Sequence, residues 1–175
     1  MDQLLKNNLI LLSIIFLFSC KTKANESYGW DTSVEKTDKE SFIVENFIGG
    51  FEIPWGMCFL PNQDLLVSDR NGTLWLVKKE GESKKKISGV PKVKNKGQGG
   101  LLDVQIHPNF INNNYVYICF SDFLPENKNK SFTSIMRAEL KKYKLLNLQT
   151  IYKANDKFYT KSNVHYGSRL VFDNK

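Results

Sequence analysis

From residue 41 onward, apolar and polar positions alternate in short bursts, each closed by Gly, Pro, Asn or Asp. The bursts span 42–48, 54–60, 65–69, 73–79, 101–107, 115–121, 132–140, 148–153 and 168–172. Val, Ile, Phe, Tyr and Trp dominate them, and no stretch keeps an amphipathic helical period for three turns. Each burst therefore predicts a β-strand. The stretch AELKKYKLLNL (138–148) fits helix or strand by itself, and its strand-rich context favours strand. Within FLPNQDLLVSDRNGTLWLV, a turn at Pro61-Asn62 and another at Asn71-Gly72 separate three of these segments. Asn-Gly favours a two-residue hairpin turn because both central residues there need positive φ. A meander of adjacent hairpins results. Many short strands at roughly ten-residue spacing imply an antiparallel all-β sandwich, barrel or propeller. Periodicity does not choose among the three.

Ahead of residue 41 the texture differs. MDQLLKNNLILLSIIFLFSC carries Lys6 near its start and then an apolar run from Leu9 to Phe18. Ten helical residues rise only about 15 Å, half a bilayer core, so the run is too short for an ordinary membrane span. It reads as the apolar core of a signal peptide over 1–20. Its end, Leu17-Phe18-Ser19-Cys20, resembles the bacterial lipobox, in which cleavage precedes the cysteine and its thiol receives a lipid. Cys20 is thus the expected lipidation site. Lys21 beside it suits outer-membrane sorting in a Gram-negative host, which predicts an exported, envelope-anchored lipoprotein facing the periplasm. Residues 21–40, KTKANESYGWDTSVEKTDKE, are polar and aperiodic, as expected of a flexible tether.

Composition and charge narrow the classes. With 175 residues, 41% of them hydrophobic and 13% aromatic, the chain supports a folded domain with a core. Its net charge of +7 comes almost wholly from lysine, since only Arg70, Arg137 and Arg169 are arginine. A nucleic-acid surface would concentrate arginine or interleave basic residues with exposed aromatics, so the charge is read as solubility with a bias toward anionic lipid surfaces. The Lys84-Lys85-Lys86 run belongs to that solvated charge. Cys58 and Cys119 lie inside apolar segments; export permits a disulfide, but free buried thiols packing as small hydrophobes are expected. No close His, Cys, Asp or Glu spacing marks a metal site.

One stretch, NKGQGGLLDVQIHPNF (95–110), pairs a glycine cluster with a single amide side chain, Gln98. By itself it reads as a turn. However, five motifs occur in order: PWGMCFLP at 54–61, LLVSDRNGTLWLV, GQGGLLDVQIHPNF, NNNYVYICFSD, and HYGSRLVFD at 165–173. This series resembles the soluble quinoprotein glucose/sorbosone dehydrogenases, and within them the aldose sugar dehydrogenase branch. The resemblance runs from about residue 43 to residue 175 and implies a six-bladed β-propeller, of which about two and a half blades are present here. It also implies oxidation of an aldose at its anomeric carbon, with pyrroloquinoline quinone (PQQ) and calcium as cofactors.

Under the resemblance, His165 falls on the general base and Gln98 on a residue of the sugar pocket. Imidazole suits a base near pH 7 because its ordinary pKa leaves it largely neutral there. A carboxamide can both donate to and accept from sugar hydroxyls. Without the resemblance His165 would read as a structural hydrogen-bonder. His107 is expected to bond within its own turn, Asp103 to satisfy backbone donors between strands, and Trp55 to pack in the core. Arg169 either reaches the cofactor or braces the HYGSR turn. Val164 stands where the glucose-oxidising branch has an acidic residue, so that branch's sugar contacts do not carry over. The implied calcium ligands and remaining cofactor contacts do not map onto this chain, and the electron acceptor is unassigned. A second reading, a non-catalytic envelope propeller that binds glycans or partner proteins, shares the same fold.

Overall fold

The computed structural model describes residues 33–173. The expected signal peptide, Cys20 and the first part of the tether lie outside them. The chain divides between Asn46 and Phe47 into two units. In the first, β1 (Ser33–Lys36) and β2 (Ser41–Val44) form an antiparallel hairpin. Its turn is closed by Thr37, whose N–H donates to Glu40 O at 2.8 Å and whose hydroxyl accepts from Glu40 N–H at 3.0 Å. The strand expected at 42–48 is therefore shorter, and β1 lies inside the stretch read as tether. Pairing overrides its polar sequence.

The second unit is all-β, two successive four-stranded blades of a β-propeller. The first sheet runs β3 (Pro54–Phe59), β4 (Leu65–Asp69), β5 (Thr73–Val77) and β6 (Lys84–Ile87), each antiparallel to the next. The second runs β7 (Leu101–Ile106), β8 (Tyr115–Leu124), β9 (Asn127–Lys141) and β10 (Lys144–Lys153), with one four-residue helix, α1 (Phe110–Asn113), between β7 and β8. The Asn71-Gly72 turn joins β4 to β5 as expected. The ambiguous stretch 138–148 is strand on both sides of a Lys142-Tyr143 turn, with Lys142 at φ 55°.

Two further strand expectations fail. Strand β6 was hidden in the lysine run. It is the outer edge of its sheet, and edge strands tolerate lysine because one side of their backbone faces water. Lys84 also lies over the rings of Phe51 and Trp75, at 4.0 and 4.8 Å from their centroids, so its charge meets aromatic faces. Conversely, residues 168–172 are apolar enough for a strand but form none. A strand needs a backbone partner, and the Leu170 N–H instead donates to the Asp103 carboxylate at 2.8 Å.

The core fills the space between the sheets. Leu66, Leu74, Leu76 and Ile87 of the first sheet pack with Leu101, Val104, Val116, Ile118 and Phe120 of the second. Fully burying each such side chain contributes about 1.5–3 kcal/mol. Strand β4 is buried along its whole length, because Leu65 and Val67 on its other face meet Ile48, Phe51 and Trp75. Polar bonds lock β3 and β4 to β7. Gly56 N–H donates to Ser68 Oγ at 2.9 Å, and Ser68 Oγ donates onward to Leu102 O. The approach demands glycine at 56: a Cβ there would lie 2.8 Å from Asp103 Oδ1 and 2.9 Å from Leu102 O.

Candidate active site

Two loops build the site: residues 88–100, between β6 and β7, and residues 154–168, which follow β10. The second loop is tied down before it reaches the site. Tyr159 is buried with Leu124 and Ala154 and donates its hydroxyl hydrogen to Asp122 Oδ2 at 2.9 Å. Burial, with the Asp122 charge adding to it, pushes that phenol up to about 12, so it stays protonated. Next along, Thr160 and Ser131 exchange backbone bonds, Ser131 N–H to Thr160 O at 2.8 Å and Thr160 N–H to Ser131 O at 3.3 Å.

The two loops then meet. Gln98 N–H donates to Asn163 O at 2.7 Å, and the Gln98 side-chain oxygen accepts from His165 N–H at 2.8 Å. Gly97 permits the approach. It sits at φ +59°, and a Cβ there would lie 2.4 Å from Asn163 O. The two predicted site residues are therefore joined directly, across 67 positions of sequence. The bond uses the backbone of His165 and leaves its imidazole free of hydrogen bonds among the described residues. The ring is solvent-exposed, as is Gln98. His165 itself adopts φ 63°, a left-handed conformation uncommon outside glycine. The Gln98 acceptor helps hold that backbone in place.

Three residues that the sequence did not single out support the histidine. Thr133 Oγ1 donates to Tyr166 O, and the Tyr166 hydroxyl pairs with Ser131 Oγ at 2.7 Å. Tyr166 lies in the HYGSR motif, but nothing in its spacing revealed that β9 would hold it. A cavity of about 70 Å³ sits beside His165, lined by Ser131, Thr133, Thr160 and Ser162 among others. It is far below the roughly 300 Å³ at which ligand pockets begin, so the imidazole is reached from its exposed side and not from an enclosed pocket. Asn163 Oδ1 is buried without a hydrogen-bond partner among the described residues.

The remaining candidates resolve into structural roles. Asp103 is fully buried on β7 and accepts from Leu170 N–H and from Arg169 Nη1, at 2.8 and 3.1 Å. Arg169 is thus the brace of its own segment. His107 Nδ1 accepts from Asn109 N–H at 2.9 Å, within the turn that Pro108 opens. Cys58 and Cys119 are both free, and burial raises both thiols, Cys119 to about 11, which leaves them poor nucleophiles. Trp55 is not core. It is 37% exposed beside Met57 and Phe59, on the face of β3 opposite Gly56. Among the described residues no three His, Cys, Asp or Glu side chains converge to hold a metal.

Residues 51–175, which contain both blades and both loops of the site, match the family described as Glucose / Sorbosone dehydrogenase. The chain belongs to that family. Among family relatives, it is 33% identical over 190 aligned positions to the uncharacterized protein slr1608 of Synechocystis sp., covering 97% of this chain and 45% of the relative. It is 34% identical over 125 positions to the aldose sugar dehydrogenase YliI of Escherichia coli, covering 70% of this chain and 33% of that one. Its fold matches the PQQ-bound form of the aldose sugar dehydrogenase from Streptomyces coelicolor with a TM-score of 0.56 and 26% identity, over 69% of this chain and 34% of the other. The chain thus spans less than half the length of each. Its family is that of the PQQ-type sugar dehydrogenases.

Proposed function

We propose that the chain is the N-terminal part of a PQQ-dependent aldose sugar dehydrogenase that oxidises the anomeric carbon of an aldose to a lactone. The observation that carries this reading is the Gln98–His165 contact, which leaves an unbonded imidazole and a carboxamide exposed at one place. His165 is the general base. Its neutral ring nitrogen takes the proton of the anomeric hydroxyl as the hydrogen on that carbon leaves as hydride. Gln98 holds the His165 backbone through its oxygen, while its NH₂ group stays available to a sugar hydroxyl.

PQQ, when bound, supplies the two-electron acceptor for the hydride. The exposed imidazole and carboxamide fit a polar quinone and a sugar meeting at this spot, and the unpaired Asn163 Oδ1 beside Gln98 is an acceptor that a hydroxyl or water would satisfy. Arg169 does not serve the quinone's carboxylates in this reading, because Asp103 engages it. Those anchoring cations, and oxygen ligands for calcium, are assigned to blades outside this chain.

The protein is exported and anchored to the envelope membrane through a lipid on Cys20. Labelling with a radioactive fatty acid should be lost in Cys20→Ala; a variant that stays labelled and membrane-bound contradicts the anchor. For the activity, the parent protein reconstituted with PQQ and calcium should reduce a dye with one or more of a panel of aldoses. The chain of 175 residues by itself should not, because a propeller's central pocket takes a wall segment from every blade. Saturable activity of this chain alone would contradict the reading.

A further inference from the structure

A second concavity lies away from the imidazole but on the same β6–β7 loop. It is a groove of about 530 Å³ between that loop, the Asn71-Gly72 turn and the end of β8. Its volume falls within the roughly 300–1,000 Å³ of small-molecule sites. Val90, Pro91, Val93 and Phe123 give it an apolar floor. Lys92, Lys94 and Lys128 line it as well, together with Asn95, and no carboxylate is among its lining residues. Two carboxylates outside the lining bond to lining residues: Glu52 accepts from the Asn71 amide and Asp122 from the Phe123 N–H, both at 2.8 Å.

The lysines are not all loose surface charges. Lys94 is fixed at its backbone on both sides: its N–H donates to Ser121 O at 2.8 Å, and its carbonyl accepts from Ser121 Oγ at 2.8 Å. Ser121 is fully buried, and its hydroxyl also accepts from Gly100 N–H at 2.8 Å. The Lys94 ammonium donates to the Lys128 carbonyl, which positions the charge across the groove and leaves two of its three N–H donors uncommitted. The Gly72 end is close-packed, since a Cβ there would lie 3.1 Å from the Val93 methyl. The result is a shaped concavity with one pre-set cation, two exposed ones and an aromatic ring.

We propose that this groove binds an acidic saccharide, a short oligosaccharide bearing uronate carboxylates. The apolar floor with Phe123 suits the C–H face of a pyranose ring, the Asn95 amide suits hydroxyls, and the three ammonium groups suit carboxylates. A bare inorganic anion would use the lysines but not the floor. A neutral sugar would use the floor and leave the cations without partners. The site does not depend on whether His165 acts as a base, because the groove and the cavity beside His165 share no lining residue.

The test is calorimetric titration of the full chain with trigalacturonate, with maltotriose as the neutral control and inorganic phosphate as competitor. Trigalacturonate should bind saturably, at least about tenfold more tightly than maltotriose, and more weakly as salt screens the lysines. Lys92→Gln combined with Lys128→Gln should weaken it by about tenfold or more, and Lys94→Gln should do so alone. The first pair changes only exposed side chains, so its thermal melt should match the parent's. Equal affinity for the neutral trisaccharide, unchanged affinity in the Lys92/Lys128 variant, or complete competition by millimolar phosphate would each overturn the assignment. So would lysine-dependent binding to anionic phospholipid vesicles without binding to trigalacturonate.

Discussion

Strands β3 and β7 are the inner strands of their two blades, yet their environments differ. Strand β7 has two neighbours outside its own sheet: β3 with Gly56 against Asp103 and Leu102, and the 169–170 segment bonded to Asp103. Its residues Leu101 to Val104 are buried without exception. In β3 the residues alternate. Gly56 faces β7 and is buried, whereas Trp55, Met57 and Phe59 are 37%, 66% and 62% exposed. Apolar pattern therefore identifies an inner strand but not its burial, which depends on what packs against each face. Asp103 makes the lesson concrete. A charged residue in the buried part of β7 is tolerated because a guanidinium and a backbone N–H, both from a distant segment, satisfy it.

The comparison can be broken at three places. Asp103→Ala should have the largest effect, a loss on the order of 3 kcal/mol in denaturant unfolding, because it strips Leu170 N–H and Arg169 of their acceptor at a fully buried position. A loss below about 0.5 kcal/mol would mean that the 169–170 segment does not pack on β7 in solution. Gly56→Ala should follow, costing about 1–3 kcal/mol, since the added Cβ meets a backbone carbonyl that cannot swing away. Met57→Ser should change stability by less than about 0.5 kcal/mol, as exposed substitutions do. If it matched Gly56→Ala, the outer face of β3 would be covered in solution and the contrast between the strands would fail.

The sequence revealed most of the strands and singled out two residues, Gln98 and His165, that the structure joins, and the reasons for its misses are specific. Hairpins with strong turn chemistry, such as Asn71-Gly72, were legible because the turn residues act locally. Strand β6 was not, since KKKI reads as solvated charge until β5 pairs with it and Phe51 and Trp75 face Lys84. The segment 168–172 misled in the opposite direction: Leu170 spends its N–H on Asp103, a bond invisible in any local window. Gln98 and His165 were legible through the motifs that contain them. What no motif carried was the means of joining them, namely the left-handed backbone at His165, the Asn163 carbonyl, and the Thr133 and Ser131 hydroxyls holding Tyr166. Those partners come from a loop and a strand distant in sequence.

The central claim is that Gln98 and His165 act as one unit with unequal duties, one positioning and one transferring a proton. Steady-state kinetics of the parent protein reconstituted with PQQ and calcium, with His165→Ala and Gln98→Ala compared side by side, test it most directly. The account predicts that His165→Ala lowers kcat by about 10²–10⁴-fold. Gln98→Ala should act more mildly and mainly by raising KM, because Gln98 holds the histidine's backbone and, in the proposed function, meets a sugar hydroxyl without receiving the proton. Equal and small effects of the two substitutions on kcat would contradict it.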